Sequence, residues 1–140
     1  MVDNLSQEQR SLNMASIRSK DTEPEQIVRS FLHKRGFRFK LYNDTLPGKP
    51  DITLAKFDTV VFVNGCFWHC HSGCKRATIP KSNRRYWKSK LENNVKQLDN
   101  NKRRLRRLGW KVIEIWECEI KDQKKIEKRF VKLLNQKRKL

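Results

Sequence analysis

The first strong hydrophobic pattern of the chain is an apolar stripe at helical spacing that begins just after Pro24. The stripe consists of Ile27, Val28, Phe31 and Leu32. Proline is favoured in the first turn of a helix, and glycine, here Gly36, is favoured just after the last turn. The segment "PEQIVRSFLHKRG" is therefore predicted to form a helix.

Three short segments that predict strands come next. "FRFKLY" at 37–42 alternates between apolar and polar residues, and "DITLA" at 51–55 and "TVVFV" at 59–63 follow at hairpin distance. The third segment is apolar at nearly every position, which is typical of a strand that is buried on both faces.

The second half of the chain predicts a long basic helix, a fourth strand and a last helix. The apolar positions of the long helix are Trp87, Leu91, Val95, Leu98, Leu105 and Leu108, and Gly109 marks its end. "WKVIEIW" at 110–116 is typical of a strand, and Asp122 is suited to cap the last helix. The apolar residues of that helix are Ile126, Phe130, Val131 and Leu134.

This order of elements, αβββαβα, predicts an α/β fold in which helices flank a mixed central sheet. The 140 residues are enough for one domain, which we assign to residues 22–140. Residues 1–21 carry Met14 and Ile17 at helical spacing among mostly polar residues, too little apolar surface to fold alone. We expect this N-terminal arm to become ordered on a partner.

Basic residues dominate the charge of the chain. Thirty-three Lys and Arg against fifteen Asp and Glu give a formal net charge of +18. A polyanion would reduce this self-repulsion most, and nucleic acid is the first candidate. The sequence contains no transmembrane segment, and its polar start, "MVDNLSQEQR", has no secretion signal. We therefore expect a cytoplasmic, nucleoid-associated protein without a membrane partner.

The segment "NGCFWHCHSGC" at 64–74 concentrates residue types that bind metals. With the later Cys118, the candidate ligands are Cys66, His69, Cys70, His71, Cys74 and Cys118. Cys66 follows the third predicted strand and Cys118 the fourth, so two neighbouring strand ends could bring them together. Closed zinc sites use four tetrahedral Cys or His ligands. The spacing predicts a structural zinc site, in which Cys70 and His71 are alternatives for one position.

An aspartate, Asp51, follows "LPGKP" and opens the second predicted strand. Pro50 favours an extended Lys49, which would place the carboxylate of Asp51 at the edge of the sheet. A carboxylate there can bind Mg²⁺, although an aspartate after a proline is by itself more often a turn or cap residue. The basic charge, the order of elements and His69 in a nearby loop favour the metal-binding interpretation.

The element order and "GKPD" resemble the PD-(D/E)xK nuclease superfamily, in which this aspartate binds the catalytic metal. The (D/E)xK motif that usually follows is missing from "TVVFV". That absence is a feature of one branch, the very short patch repair (Vsr) endonucleases. The segments that match this family are "RSLNMASIRSKDTEPE" (10–25), "LPGKPDI" (46–52), "NGCFWHCH" (64–71) and "LGWKVIEIWECE" (108–119). The chain thus resembles the family over nearly its whole length, which implies a restriction-endonuclease-like core.

The resemblance implies a DNA mismatch endonuclease that uses Mg²⁺ for catalysis and Zn²⁺ for structure. Such an enzyme nicks duplex DNA next to the thymine of a T·G mismatch and initiates very short patch repair of deaminated 5-methylcytosine. Asp51 and the main-chain carbonyl of Val63 would bind Mg²⁺. His69 would act as an acid/base or contact the phosphate, and Glu25 would support the site by hydrogen bonding. Zinc would be bound by Cys66, His71, Cys74 and Cys118.

The resemblance also implies how the mismatch would be recognised. Phe67 and Trp68, with Trp87 of the long helix, would wedge into the base stack, where unstacking costs least at a mispair. For either loop aromatic alone, packing inside the protein is an equal alternative. Lys90 and Asn94 would contact the mispaired bases, whereas without the resemblance they would be interpreted as solvated polar residues.

The remaining expected DNA contacts come from the arm and from the basic helix. Met14 would press on the DNA from the minor-groove side, and arginines of the long helix would bind phosphates. These arginines are Arg103, Arg104, Arg106 and Arg107. The expected partner is double-stranded DNA with a T·G mismatch. The candidate protein partners are mismatch-repair proteins and a cytosine-5 DNA methyltransferase, and we expect the endonuclease to be a monomer.

Two positions depart from the family pattern. Asn64 stands where the best-known pattern has a histidine that is thought to activate water, and asparagine cannot take up a proton at neutral pH. Asn64 is still a candidate catalytic residue because of its position. Cys70 stands where the family usually has a small or different residue. Two alternatives therefore stay open: a zinc-stabilised mismatch- or DNA-binding module with weak or lost nuclease activity, and a nuclease of the same fold that acts on other lesions or on paired DNA.

Overall fold

The computed structural model describes residues 22–139, which form a four-stranded sheet with helices on both faces. The helices are α1 (Glu23–Lys34), α2 (Arg84–Arg107), α3 (Gln123–Arg129) and α4 (Val131–Arg138). The strands are β1 (Lys40–Leu41), β2 (Ile52–Leu54), β3 (Thr59–Asn64) and β4 (Lys111–Trp116). The α/β class predicted from the sequence is confirmed. The predicted N-terminal arm, with Met14, lies outside the described residues.

The sheet is mixed, with the strand order β1-β2-β3-β4. β1, β2 and β3 pair antiparallel, whereas β3 and β4 are parallel and are connected through α2. The parallel register runs from Thr59 opposite Lys111 to Asn64 opposite Trp116. Both strands therefore end at the same edge of the sheet, and the loops that carry Cys66 and Cys118 start from neighbouring positions.

Each face of the sheet is covered by different helices. On one face, α1, α3 and α4 bury a core that includes Val28, Leu32, Ile52, Val61, Ile115, Ile126 and Phe130. On the other face, Leu105 of α2 packs on Val60 and Phe62 of β3. Because successive side chains of β3 point to opposite faces, this strand contributes to both cores. The prediction that it is buried on both faces is confirmed.

A tight turn precedes Asp51 and leads into β2. The N–H of Lys49 donates to the carbonyl of Leu46 (3.1 Å), and Gly48 has φ +75°. Proline at the second position and a left-handed glycine at the third are typical of a type II turn. The prediction that Lys49 is extended is wrong, since its φ is +49°. Lys49 adopts this left-handed conformation, against the preference of a residue before proline, between the turn and the buried Pro50.

Replacing Gly48 by alanine should destabilise the protein by about 1–3 kcal/mol. Its φ of +75° strains any residue with a Cβ, and that Cβ would lie 2.8 Å from Cβ of Asn101 in α2. Gly109→Ala is the matched control, because its φ is also positive (+95°) but its Cβ would meet no atom within 4 Å. Urea unfolding of both variants measures the difference. Equal losses would show that the contact with α2 contributes nothing.

The last predicted helix is interrupted at Phe130 and forms two short helices, α3 and α4. Asp122 caps α3 as predicted, and its carboxylate accepts a hydrogen bond from the N–H of Lys124 (3.0 Å). Phe130 is fully buried and stacks on Phe31 with ring centroids 5.6 Å apart. The prediction that Val131 belongs to the apolar stripe is wrong, because it follows the anchored Phe130 around the helix and is 49% exposed.

Two further boundaries differ from the sequence pattern. The first strand is confined to Lys40–Leu41, while Phe37 is already buried in the core before it. Leu108 was predicted on the buried stripe of the long helix, but it lies beyond the last turn of α2 and is 63% exposed. Between residues 22 and 139, no helix is both long enough and apolar enough to span a bilayer.

Candidate active site and metal centre

A half-open cleft of about 880 Å³ lies where β3 ends. It is bounded by the start of α1, the turn before β2, the end of β3 with the following loop, and the middle of α2. The residues predicted for the reaction all line it: Glu25, Asp51, Val63, Asn64 and His69. The fold therefore gathers these five positions, which span 45 positions of sequence, around one space.

The carboxylate of Asp51 is held against the last part of β3. Its Oδ2 accepts a hydrogen bond from the N–H of Val63 at 2.7 Å. In a strand, the N–H and C=O of one residue point to the same side, so the carbonyl of Val63 also points towards the side on which Asp51 lies. β2 begins only at Ile52, and so this side is open to the cleft instead of being filled by a strand pair.

Glu25 is buried at the start of α1 and belongs to a small polar cluster. Its Oε2 accepts hydrogen bonds from the hydroxyl of Tyr42 and from Arg29 one turn later in α1 (3.2 Å). Arg29 also contacts the Tyr42 hydroxyl. These bonds hold the Glu25 carboxylate in a fixed position at the border of the cleft.

Asn64, the last residue of β3, is only 3% exposed and lies between the cleft and α2. Its Nδ2 donates to Oε2 of Glu114 in β4 at 2.8 Å. The other oxygen of Glu114, Oε1, accepts from Nζ of Lys102 in α2 at 2.7 Å. The amide of Asn64 is therefore the end of a chain of interactions that crosses from α2 through β4 to the cleft.

The loop after β3 is held by backbone hydrogen bonds between residues that are close in the sequence. The N–H of His69 donates to the carbonyl of Gly65 (3.2 Å), and that of His71 donates to Cys66 (3.0 Å). The loop then turns again, with Cys74 N–H donating to His71 (3.2 Å). These turns direct His69 to the cleft and His71 away from it, to the cysteines.

Four predicted zinc ligands converge behind the loop. The ligand atoms of Cys66, His71, Cys74 and Cys118 all lie within 4.8 Å of one another. A tetrahedral zinc with Zn–S distances of about 2.3 Å would separate its sulfurs by about 3.8 Å, so the arrangement fits such an ion. Sγ of Cys118 lies 3.4 Å from Nδ1 of His71, as two ligands of one ion would. Cys118 contributes from the short 3-10 turn directly after β4, and the other three come from the loop after β3.

The surroundings of this group suit a metal. Burial raises the pKa of the Cys66 thiol to about 12, so without a cation it keeps its proton at neutral pH. A backbone hydrogen bond from Arg76 lowers the pKa of Cys74. The ring of His71 stacks on Trp116, with centroids 4.1 Å apart and planes 7° from parallel. This stacking orients the imidazole before any ion binds.

Cys70, the alternative to His71, is directed elsewhere. It packs against the cluster of Trp68, Trp87 and Leu91, and burial raises the pKa of its thiol. Cys70 has a positive φ of +50°, and the loop turns at this residue between His69, which lines the cleft, and His71, which lies with the three cysteines. Of the two candidates for the fourth position, the structure brings His71 to the other cysteines.

The three aromatic residues expected to enter the base stack form one cluster. The ring centroids of Phe67 and Trp68 are 5.3 Å apart, and those of Phe67 and Trp87 are 5.6 Å apart, both in edge-to-face geometry. Trp68 and Trp87 are 8% and 3% exposed, and they pack on Leu91 of α2. Phe67 is more exposed and lines the cleft. Trp68 and Trp87 are thus largely packed inside the protein, although Trp68 also borders the cleft, and Phe67 is the more accessible member.

Lys90 and Asn94 lie beside this cluster on the same face of α2 as Trp87. Nζ of Lys90 lies 5.8 Å from the ring centroid of Trp68 and 5.9 Å from that of Tyr86, within range of a cation–π interaction. Nδ2 of Asn94 donates to the carbonyl of Trp68 at 3.3 Å. In this structure both residues support the loop, which the sequence did not reveal.

The arginines expected to bind phosphate are exposed along the second half of α2. These residues are Arg103, Arg104, Arg106 and Arg107. Arg103, Arg104 and Arg107 border a shallow groove together with amide side chains of Gln97, Asn100 and Asn101. Gln97 and Asn101 also line the main cleft, so the groove and the cleft are neighbours.

Sequence reasoning missed the residues that hold the expected site residues in place. Glu114 lies between apolar residues of β4, and Lys102 lies three residues before the buried Leu105, on the same side of α2. Both are charged side chains at positions where the hydrophobic pattern predicts a side chain that points into the protein. A charge at such a position is a signal in the sequence for a specific partner. Tyr42, the partner of Glu25, had no such signal because it follows a strand of two residues.

The relationship of the chain to known proteins agrees with this geometry. The model of one family, DNA mismatch endonuclease Vsr, matches residues 2–76. The chain belongs to this family. It is 42% identical over 136 residues to the Type II nicking enzyme V.NmeAIP of Neisseria meningitidis, an alignment that covers 97% of this chain and 96% of the relative.

Two further relatives extend the comparison. The Type II nicking enzyme V.XorIIP of Xanthomonas oryzae pv. oryzae is 43% identical over 135 residues, covering 96% of this chain and 98% of the relative. The DNA mismatch endonuclease Vsr of Escherichia coli is 35% identical over 117 residues, covering 84% and 74%. The resemblance stated from the sequence is confirmed, and this Vsr-family chain is an endonuclease that nicks DNA.

Proposed function

We propose that this protein is a Mg²⁺-dependent endonuclease with a restriction-endonuclease-like core that nicks duplex DNA next to the thymine of a T·G mismatch. Membership of the Vsr family supports the reaction type. The observation that carries the proposal is the carboxylate of Asp51, bonded to the N–H of Val63 at 2.7 Å in an open cleft. This is an oxygen-rich place that can bind a hard cation beside a phosphodiester.

Asp51 and the carbonyl of Val63 are the residues that would hold Mg²⁺. The donor set fits, because Mg²⁺ prefers oxygen ligands and often needs only one or two from the protein. A carbonyl ligand also tolerates any side chain, which agrees with a third strand that lacks the (D/E)xK motif. When bound, the ion would supply a Lewis acid for the phosphodiester and would lower the pKa of water.

His69 and Glu25 would complete the protein side of the reaction. His69 lines the same cleft and carries an imidazole, the side chain whose unperturbed pKa is closest to neutrality. We assign it the role of acid/base or phosphate contact. Glu25, bonded to Tyr42 and Arg29, would be a positioning residue at the border of the site.

The aromatic cluster supports recognition of a mispair. Phe67 is the accessible member, so it would enter the base stack first, and Trp68 and Trp87 would form its rigid base. Insertion costs least where base pairing is already disturbed, and so it selects mismatches. Lys90 and Asn94 would contact the displaced bases, for which Asn94 would exchange its bond to the Trp68 carbonyl for a base edge.

The zinc site would make this loop rigid. Cys66 precedes Phe67 directly, and His71 follows two residues after His69, so one ion would hold both ends of the segment that carries the wedge and the catalytic histidine. A loop ordered before binding loses less entropy when it inserts. We therefore assign zinc a structural role in both recognition and catalysis.

A repair role and the associated proteins form the next part of the proposal. T·G mispairs arise when 5-methylcytosine is deaminated, so the enzyme would act together with a cytosine-5 DNA methyltransferase and with mismatch-repair proteins. Two relatives are Type II nicking enzymes by name, which supports nicking in a particular sequence context. We propose a monomer that acts on DNA in the cytoplasm.

One observation favours a second function, a DNA-binding module with weak or lost nuclease activity. Asn64 stands at the end of β3 within the cleft, and its side chain cannot take up a proton from water. If catalysis depended on a base at this position, the protein would bind the mispair without nicking it.

A nicking assay distinguishes these functions. Purified protein is incubated with end-labelled duplexes that are identical except for one T·G or T·A pair, each with Mg²⁺ or with EDTA. We expect a single Mg²⁺-dependent nick beside the mispaired thymine. Tight binding of the T·G duplex without a nick would favour the binding module, and equal nicking of both duplexes would favour a nuclease for paired DNA.

A further inference from the structure

We propose that Glu114 and Lys102 are positioning residues that orient the amide of Asn64, so that its oxygen Oδ1 faces the cleft and accepts a hydrogen bond from the attacking water. The inference rests on the proposed nuclease function. It assigns a task to a position whose side chain cannot act as a base, and it adds two residues of β4 and α2 to the reaction.

The orientation of the amide follows from the chemistry of its partner. Nδ2 of Asn64 lies 2.8 Å from Oε2 of Glu114. An ionised carboxylate can only accept hydrogen bonds, so the NH₂ side of the Asn64 amide must face it. The amide is planar, and Oδ1 therefore points away from Glu114. Asn64 lines the cleft and is only 3% exposed, so we infer that Oδ1 faces the cleft.

Lys102 binds the second carboxylate oxygen of Glu114 and so fixes the carboxylate in place. Its Nζ lies 2.7 Å from Oε1 of Glu114, and both side chains are largely shielded, with 16% and 21% exposure. Lys102 also contacts Asp99 at 3.4 Å, which lies one turn earlier in α2 and is 51% exposed. The ammonium is thus anchored on α2 while it points to the strand.

The position of this pair in the fold argues against a purely structural role. The surrounding face of the sheet is apolar, with Val60 and Phe62 packed against Leu105. Apolar residues can replace a shielded ion pair at little cost or with a gain in stability. The register also sets Glu114 opposite Phe62, two residues from Asn64 on the same face. The Glu114–Lys102 pair therefore lies where Glu114 can reach the side chain of Asn64.

An acceptor at this position can orient water without taking its proton. The proton would leave to another group of the cleft or to solvent, and Asn64 would only fix the direction of the oxygen lone pair that attacks phosphorus. Orientation of this kind affects kcat more than substrate affinity, because it acts on the reacting geometry. This separates the role from that of the phosphate-binding arginines.

Glu114→Gln tests the proposal because it should reverse the amide. Lys102 has donors only, so it would hold the carbonyl oxygen of the new side chain and leave its NH₂ facing Asn64. Asn64 would then turn Oδ1 to residue 114 and present NH₂ to the cleft. We expect kcat on the T·G duplex to fall by about 10²-fold with little change in KM.

Removing the lysine from this variant should restore activity. In the double variant Glu114→Gln, Lys102→Met, the glutamine is free to turn its oxygen to Asn64, so Oδ1 faces the cleft again. We expect kcat to recover by at least about tenfold. A purely structural pair predicts the opposite, a further loss. Asp99→Asn is the matched control, because it removes the other carboxylate contact of Lys102 and should leave kcat unchanged.

A measurement on the wild-type protein provides an independent test. In NMR spectra, the side-chain amide protons of Asn64 should exchange slowly with solvent and show contacts to the side chain of Glu114. Rapid exchange would overturn the proposal, even if the Glu114→Gln protein were too unstable to assay. Wild-type nicking with unchanged kcat in Glu114→Gln overturns this inference alone, whereas absence of nicking by the wild type overturns the proposed function as well.

Discussion

Replacing Asp51 by asparagine is expected to reduce nicking of a T·G duplex by about 10³-fold, which corresponds to about 4 kcal/mol of transition-state stabilisation. The substitution removes the negative charge that would bind Mg²⁺. It keeps an oxygen that can accept the 2.7 Å hydrogen bond from the N–H of Val63. The loss of activity is therefore expected without a loss of structure.

Asparagine is a better test here than alanine. Alanine would leave the Val63 N–H without its acceptor in a partly buried place, and an unsatisfied donor costs about 1–3 kcal/mol of stability. Asp51→Ala should thus lose activity and some stability together. Asp51→Asn separates the two, and its thermal unfolding should match that of the wild type.

The measurement is a single-turnover nicking assay with a binding assay on the same labelled duplex. Binding of the mispair should change by less than about threefold, since phosphate and base contacts lie elsewhere. Asp44→Asn makes the same change of charge on an exposed residue of the loop before β2 and should have no effect. Normal nicking by Asp51→Asn would show that the metal is held by other residues.

Removal of zinc is expected to produce the largest effect on stability. The group of Cys66, His71, Cys74 and Cys118 connects the loop after β3 to the end of β4. Binding of a structural zinc contributes about 10–16 kcal/mol in zinc-finger peptides, which is comparable to the whole stability of a typical domain. Without the ion, only weak hydrogen bonds of the thiols, such as that between Cys118 and His71, would hold these two segments together.

Cys118→Ser and a zinc chelator should therefore have the same result. We expect the protein to contain about one zinc per chain, and we expect its Tm to fall by more than about 10 °C after substitution or chelation. Atomic-emission analysis and thermal unfolding by circular dichroism measure both quantities. Cys70→Ser is the matched control, because Cys70 packs against Trp68 and not with the four ligands. Loss of zinc in Cys70→Ser would contradict the assignment.

The polarity of the chain was sufficient to predict most of the fold. The apolar spacing of α1 and α2, the continuous apolar run of β3 and the cap at Asp122 depend on local sequence and on burial. Where packing competes with local preference, the prediction failed. Phe130 interrupts the last helix because its ring is anchored on Phe31, and Lys49 adopts a left-handed conformation between a tight turn and the buried Pro50.

The identity of the candidate site residues could also be proposed from the sequence, because motifs such as "GKPD" and "GCFWHCH" are specific. The residues that hold these site residues in place could not be proposed, since they depend on which side chains meet in the folded protein. Glu114 meets Asn64 through the parallel register of β3 and β4, and it meets Lys102 through the packing of α2 on the sheet. Likewise, Tyr42 reaches Glu25 across a loop.

The sequence by itself determined the residue types available for chemistry, the basic charge and the order of helices and strands, because these depend on composition and on local periodicity. The tertiary structure decided which candidates act together. It brought His71 to the three cysteines and turned Cys70 to the tryptophans, although the two residues are neighbours in the chain. It also fixed the direction of the Asn64 amide, because a hydrogen bond between distant residues depends on the position of every element that carries them.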